Sequence, residues 1–258
     1  LLERTGIVEH CFTTRLGGVS TDIFSTMNLS FTRGDEEAAV RENYRRLARA
    51  LGAEVGQFVC SDQTHTVNVR RVTAADAGKG LTRERDYRIT DEPGLVLSTF
   101  YADCVPLYVV DPVHRAIGMS HSGWRGTAAR MGAVTLSAMQ EAYGTRPEDV
   151  VCAVGPSICK DCYEVSADVA DIFAEEFPGH EQEILAESEK NSVGMAHADK
   201  KYQLDLWKAN EIIFQEAGVR KEHLAVTDIC TCCNPKLLFS HRASHGKRGN
   251  LGGFLYLK

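Results

Sequence analysis

Between Leu95 and Tyr143 the chain runs three short apolar segments in succession, Leu95–Thr99, Val105–Val110 and Ala116–Ser120, and then a helical pattern over Gly126–Tyr143. Apolar runs of this length suit buried strands, and a helix that follows at once must pack on the sheet they make. Val150–Val154 reads as a further strand, and Ser166–Phe177 and Leu204–Ala217 as helices. Leu224–Thr227 and Leu255–Leu257 read as late strands. Nearer the N-terminus, Val40, Tyr44, Leu47 and Leu51 share one helical face, with Asp35 as the expected N-cap and Gly52 as the stop. The expectation is a mixed α/β (α+β) fold. No repeat, low-complexity tract or linker interrupts it, so residues 1–258 read as one domain.

Composition narrows the function. A net charge of −6 and a pI near 5.9 disfavour nucleic acid as a partner. Arg41, Arg45, Arg46 and Arg49 cluster, but Glu36, Glu37 and Glu42 interleave with them, as on a solvated helix face. No apolar run reaches the roughly 18 residues of a membrane span, and no signal-peptide pattern opens the chain. Nine cysteines, an odd number, argue for a reducing cytoplasm in which thiols serve as core residues or ligands.

Three separate motifs each offer one soft, metal-capable side chain: His65 in Q-T-H-T, Cys104 in A-D-C-V-P and His121 in M-S-H-S-G-W-R-G. Each sits at the edge of an apolar run, and residues at strand ends can converge on one side of a sheet. Two histidines and a cysteine form a recurrent catalytic zinc shell, because the fourth position stays open to water or substrate. After His121 a glycine-flanked turn leads into a helix with Arg125 at its start, a candidate anion site. Arg15 lies before a Gly-Gly turn in F-T-T-R-L-G-G-V-S, and Asn28 follows in M-N-L. Asp103, beside the metal-capable Cys104, is either a proton carrier or a turn-capping carboxylate. The tail F-S-H-R-A-S-H-G-K-R-G-N carries Arg242, in a phosphate clamp or a solvated basic loop. Cys159–Cys162 and Cys230–Cys233 are C-x-x-C pairs, but the gap between them far exceeds the roughly 15–20 residues of a zinc ribbon. They read as structural thiols, with Cys230 or Cys233 lining the active site as the alternative.

Taken in order, these motifs resemble the polyphenol-oxidoreductase laccase family, whose members are also described as purine nucleoside phosphorylases and as peptidoglycan editing factors. The match runs through nearly the whole chain, including H-S-G-W-R-G-T, G-P-S-I-C-K-D-C-Y-E-V, C-T-C-C-N-P and F-S-H-R. The resemblance implies a four-layer α/β/β/α sandwich with zinc on His65, Cys104 and His121. It also implies phosphorolysis of adenosine, inosine and methylthioadenosine, with deamination of adenosine.

The residues test the family's names against one another. A multicopper oxidase holds its trinuclear cluster with H-x-H pairs. None of the nine histidines here is separated from another by one residue. A lone copper in the His2Cys set remains chemically allowed. Phosphorolysis asks for phosphate placed at the anomeric carbon, a role for Arg125, with Arg15, Asn28 and Arg242 as further substrate contacts. Deamination asks for water delivered to C6 of adenine and for a proton carrier such as Asp103. The other readings are a cysteine hydrolase acting on peptidoglycan precursors, with Cys104 as nucleophile and His121 as base, and a non-catalytic metal-binding scaffold.

Overall fold

The computed structural model describes residues 1–60, 67–77, 87–192 and 194–258. Its strands are β1 (Val8–Phe12), β2 (Phe58–Cys60), β3 (Val69–Arg71), β4 (Tyr87–Thr90), β5 (Val96–Tyr101), β6 (Val105–Asp111), β7 (Ala116–Ser122), β8 (Val151–Val154), β9 (Glu164–Ser166), β10 (Leu185–Glu187), β11 (Lys201–Leu204), β12 (Leu224–Val226) and β13 (Leu251–Leu257). The helices are α1 (Glu37–Leu51), α2 (Trp124–Ala128), α3 (Met131–Tyr143), α4 (Ala167–Glu176), α5 (Glu181–Ile184) and α6 (Leu206–Glu216).

Two large sheets stack face to face. One has the order β1-β13-β5-β2 and the other β12-β8-β6-β7-β4-β3. Val8, Leu97, Tyr101 and Leu255 of the first meet Tyr108, Val110, Ile117 and Met119 of the second in a buried core between the sheets. A second core lies outside the four-stranded sheet. There Val40, Tyr44 and Leu47 of α1 cover Phe58, Phe100 and Phe254. A third core lies outside the six-stranded sheet, where Leu136 and Met139 of α3 and Ile213 and Phe214 of α6 cover Leu107, Val109 and Val154. Strands β6 and β7 are buried along their whole lengths because they lie between the other sheet and these helices. The result is a four-layer α/β/β/α sandwich, with a small β10-β11-β9 sheet at its side. Among the described residues no helix is long and apolar enough to cross a membrane.

Helix α1 keeps its expected face, and Gly52 ends it at φ 65 in the left-handed region. Asp35 stands one residue before the N-cap, Glu36, and spends its carboxylate on Ser20 Oγ at 2.7 Å, Asn28 Nδ2 at 2.8 Å and Glu36 N–H at 2.9 Å. On the exposed face Arg41 pairs with Glu37 and Arg46 with Glu42, each at i,i+4. The helix expected over 126–143 is broken instead. It starts earlier, at Trp124, and Arg130 at φ 56 separates α2 from α3. That conformation costs a non-glycine residue about 1–2 kcal/mol. The Arg130 side chain offsets the cost through tertiary contacts, bonding Glu176 O, pairing with Glu216 and lying over the Phe177 ring. The last strand is longer than the 255–257 segment suggested, because Gly252 and Gly253 belong to it. A Cβ on Gly253 would lie 2.5 Å from Met119 Cε and 2.8 Å from Tyr108 Oη, so only glycine admits this approach of the two sheets.

Candidate active site

The β6–β7 pairing builds the site. Its register sets Pro106 opposite His121 and Val105 opposite Ser122, so Cys104, one residue before β6, comes to the same end of the sheet as His121. Gly123 follows as the N-cap of α2. A Cβ placed there would lie 3.0 Å from Cys104 Sγ and 3.7 Å from His121 Cε1. The two side chains therefore flank one small space that only a glycine leaves open. His121 is 4% exposed, and its ring stacks on Tyr101 with centroids 5.4 Å apart. Tyr101 is itself fixed, its hydroxyl within 2.6 Å of Thr99 Oγ1 and donating to Ser120 O. Burial pushes the Cys104 thiol up to about 12, the charge of Asp103 adds to this, and Arg248 opposes it. His65 lies outside the described residues.

A cleft of ≈ 170 Å³ opens beside this pair, walled by Cys104, Trp124, Arg125, Ile158, Tyr163 and Leu206. Arg125 is exposed and lies over the Trp124 ring at 4.1 Å. Its guanidinium makes no hydrogen bond or ion pair among the described residues, which leaves those donors open to a ligand. The helix behind it has only five residues, so the anion reading rests on this guanidinium and not on a helix terminus as the longer helix had suggested.

Asp103 also borders the cleft, at φ 87 and 7% exposed. One carboxylate oxygen accepts from Thr231 Oγ1 at 2.7 Å and the other from the Arg242 N–H at 2.7 Å. Its carbonyl accepts from Ile158 N–H at 2.9 Å. Both carboxylate oxygens are thus engaged, on Thr231 and Arg242, and the carbonyl holds a third segment at Ile158, which favours the capping reading over the proton carrier. The Arg242 guanidinium bonds Cys162 O and Glu164 O and lies over Tyr163, so it positions a wall of the cleft.

Arg15 and Asn28 are braces. Arg15 donates to Ser25 O and Pro235 O and stacks on Phe239. Asn28 is fully buried, donates to Ser30 O and Asp35 Oδ2, and accepts from Ser30 N–H and Asn250 N–H. Those four bonds use its whole amide, leaving nothing for a substrate. Sequence reasoning passed over Tyr163 as a cleft residue and Arg248 as a charge beside Cys104. Burial and then Arg33 bring the Arg248 guanidinium down to about 10. Tyr163 lay in plain view in the C-Y-E-V motif, but no spacing rule marks an aromatic wall. The four thiols of Cys159, Cys162, Cys230 and Cys233 lie within 4.8 Å of one another and could hold a metal ion.

Gly123→Ala tests the space between Cys104 and His121. Gly123 has φ −74 and ψ −179, open to any residue, so the fold should keep its melting temperature. The added methyl must displace Cys104 Sγ, and activity should fall about tenfold or more in kcat/KM. Wild-type kinetics in this variant would show that the space is unused.

A family model described as multi-copper polyphenol oxidoreductase laccase matches residues 9–258. Purine nucleoside phosphorylase YlmD of Bacillus subtilis (strain 168) is 34% identical over 253 residues, covering 96% of this chain and 87% of that protein. Adenosine deaminase RL5, from an unknown prokaryotic organism, is 29% identical over 242 residues, or 91% of this chain and 88% of that one. The crystal structure of YlmD from Geobacillus stearothermophilus matches with a TM-score of 0.89 and 33% identity, over 97% of this chain and 92% of that one. Sequence and fold agree along almost the whole length, and the chain belongs to the multi-copper polyphenol oxidoreductase laccase family.

Proposed function

We propose that this protein is a metal-dependent purine nucleoside phosphorylase that also deaminates adenosine, and that both reactions occur in the cleft beside Cys104 and His121. The observation that carries the reading is the meeting of those two side chains about Gly123, next to the Arg125 guanidinium, which lies over Trp124 with its N–H donors open. The relatives named as purine nucleoside phosphorylase and adenosine deaminase support the substrate class.

The space at Gly123, with one thiol and one imidazole facing it, fits a zinc ion held by Cys104 and His121; His65, the third ligand the family resemblance implies, lies outside the described residues. When bound, zinc supplies a water of lowered pKa and positive charge for the developing transition state. Copper suits the same donors.

The remaining work belongs to the chain. Trp124 and Tyr163 offer aromatic faces to a purine, and Ile158 and Leu206 exclude water around it. Arg125 holds phosphate so that one oxygen faces the anomeric carbon. The C–N glycosidic bond then breaks as the C–O bond forms, and the departing base takes up, through solvent, the proton that hydrogen phosphate releases on becoming the ester. In deamination, water adds at C6 of adenosine and ammonia leaves. Asp103 keeps the cleft wall in place for both. Nine unpaired thiols suit a reducing cytoplasm.

The test is product analysis on zinc-loaded protein. Adenosine with phosphate should give adenine and ribose 1-phosphate, and adenosine without phosphate should give inosine. If neither reaction occurs, the purine reading is wrong.

A further inference from the structure

We propose that Cys159, Cys162, Cys230 and Cys233 hold a zinc ion in a closed four-thiolate site, which clasps the wall of the cleft formed by Asp103, Ile158 and Tyr163. The metal site is argued from its own geometry. Its effect on the cleft rests on the reading given under Proposed function.

Two C-x-x-C turns face each other. Ser157 forms a parallel bridge with Cys230, Ser157 N–H bonds Ile229 O at 3.2 Å, and Thr231 N–H bonds Ser157 O at 3.0 Å. These bonds lay the two segments side by side and bring the four thiols together, although Cys162 and Cys233 are 71 positions apart. Cys230 Sγ accepts from the Cys159 N–H at 3.3 Å and from the Cys233 N–H at 3.4 Å. Main-chain donors aimed at a sulfur stabilise negative charge on it, as a metal-bound thiolate requires.

The spacing fits one tetrahedral ion. Zinc–sulfur bonds of about 2.3 Å place the four sulfurs about 3.8 Å apart. Here all four lie within 4.8 Å of one another, and Cys162 Sγ and Cys233 Sγ are 3.4 Å apart. A disulfide needs about 2.05 Å and would use only two of them. Four protein ligands close the shell, so the ion is structural and distinct from the one proposed at Cys104 and His121.

The position gives the clasp its purpose. Thr231, inside one turn, donates to Asp103, and Tyr163 directly follows the other turn. Ile158, just before Cys159, bonds the Asp103 carbonyl. An ion joining the two turns holds all three cleft residues in register.

The test uses Cys104→Ser, which removes a ligand of the other proposed site. The purified variant should retain one zinc per chain, and X-ray absorption should give only sulfur neighbours at about 2.3 Å. Cys162→Ser and Cys233→Ser should each lose that zinc and lower the melting temperature by about 5 °C or more. If these variants fail to fold, cobalt-loaded Cys104→Ser protein decides, because with the other thiolate ligand removed a four-thiolate site still gives intense sulfur-to-cobalt charge-transfer absorption. Iron in place of zinc, nitrogen or oxygen neighbours in Cys104→Ser, or a disulfide under reducing purification would each overturn the proposal. These readouts do not involve turnover, so they stand or fall apart from the purine reading.

Discussion

His121→Ala should leave no measurable phosphorolysis or deamination and should lose the catalytic metal. In the proposed site Cys104 and His121 are the two described ligands, and removing one leaves too few donors to hold a catalytic zinc. The fold should survive. Tyr101, on which the His121 ring stacks, is held independently by Thr99 and Ser120. Loss of a buried ring from this position costs about 1–3 kcal/mol, which a family of extensive cores can absorb. Metal content, both activities and the thermal melt, measured on one preparation, check the expectation. If His121→Ala retained its metal and turned over normally, the site would have to lie elsewhere.

Asp103→Ala should be the most destabilising single change near the cleft. The substitution removes both hydrogen bonds from Thr231 and Arg242 to the buried carboxylate. Bonds to a charged group are worth about 1.5–3 kcal/mol each, partly recovered as the freed donors reach water. Alanine at φ 87 adds strain that aspartate tolerates better. A net loss of about 3 kcal/mol should lower the melting temperature by about 6–12 °C. Activity should fall as well, because Thr231 and Arg242 lose their common anchor, while the Ile158 N–H keeps its bond to the main-chain carbonyl. Asp103→Asn should be milder. Its oxygen can still accept from the Arg242 N–H, while its amide turns to the Thr231 hydroxyl, which can reverse its role. Equal effects of Ala and Asn would contradict this account of the anchor.

Much of this architecture was legible in the chain. Strands β6 and β7 announced themselves as unbroken apolar runs because they are buried on both sides, and α1 because Val40, Tyr44, Leu47 and Leu51 all face one core. Cys104 and His121 stood out by motif, and the register of two neighbouring strands was enough to bring them together. Long-range effects were not legible. Gly252 and Gly253 imitate a turn, yet they lie in a strand because Met119 and Tyr108 press against it. The break at Arg130 carries no proline or glycine signal and depends on Glu216 and Phe177 elsewhere. The C-x-x-C pairs looked unrelated because ribbon spacing counts residues along the chain, whereas the bridge at Ser157 and Cys230 joins them through space. Arg15 and Asn28 looked like ligand contacts because their residue types suit that role, but loops near each chain end claim them first.

The central claim is that one cleft runs both purine reactions, with Arg125 serving phosphate alone. It is tested most directly by following adenine and inosine together as phosphate is raised, in wild type and in Arg125→Ala at equal metal content. A charge-assisted contact of about 1.5–3 kcal/mol predicts that the variant loses one to two decades in phosphate-dependent adenine release, while inosine formation stays near wild type. Loss of both products in equal measure, or an unchanged phosphate dependence, would contradict it.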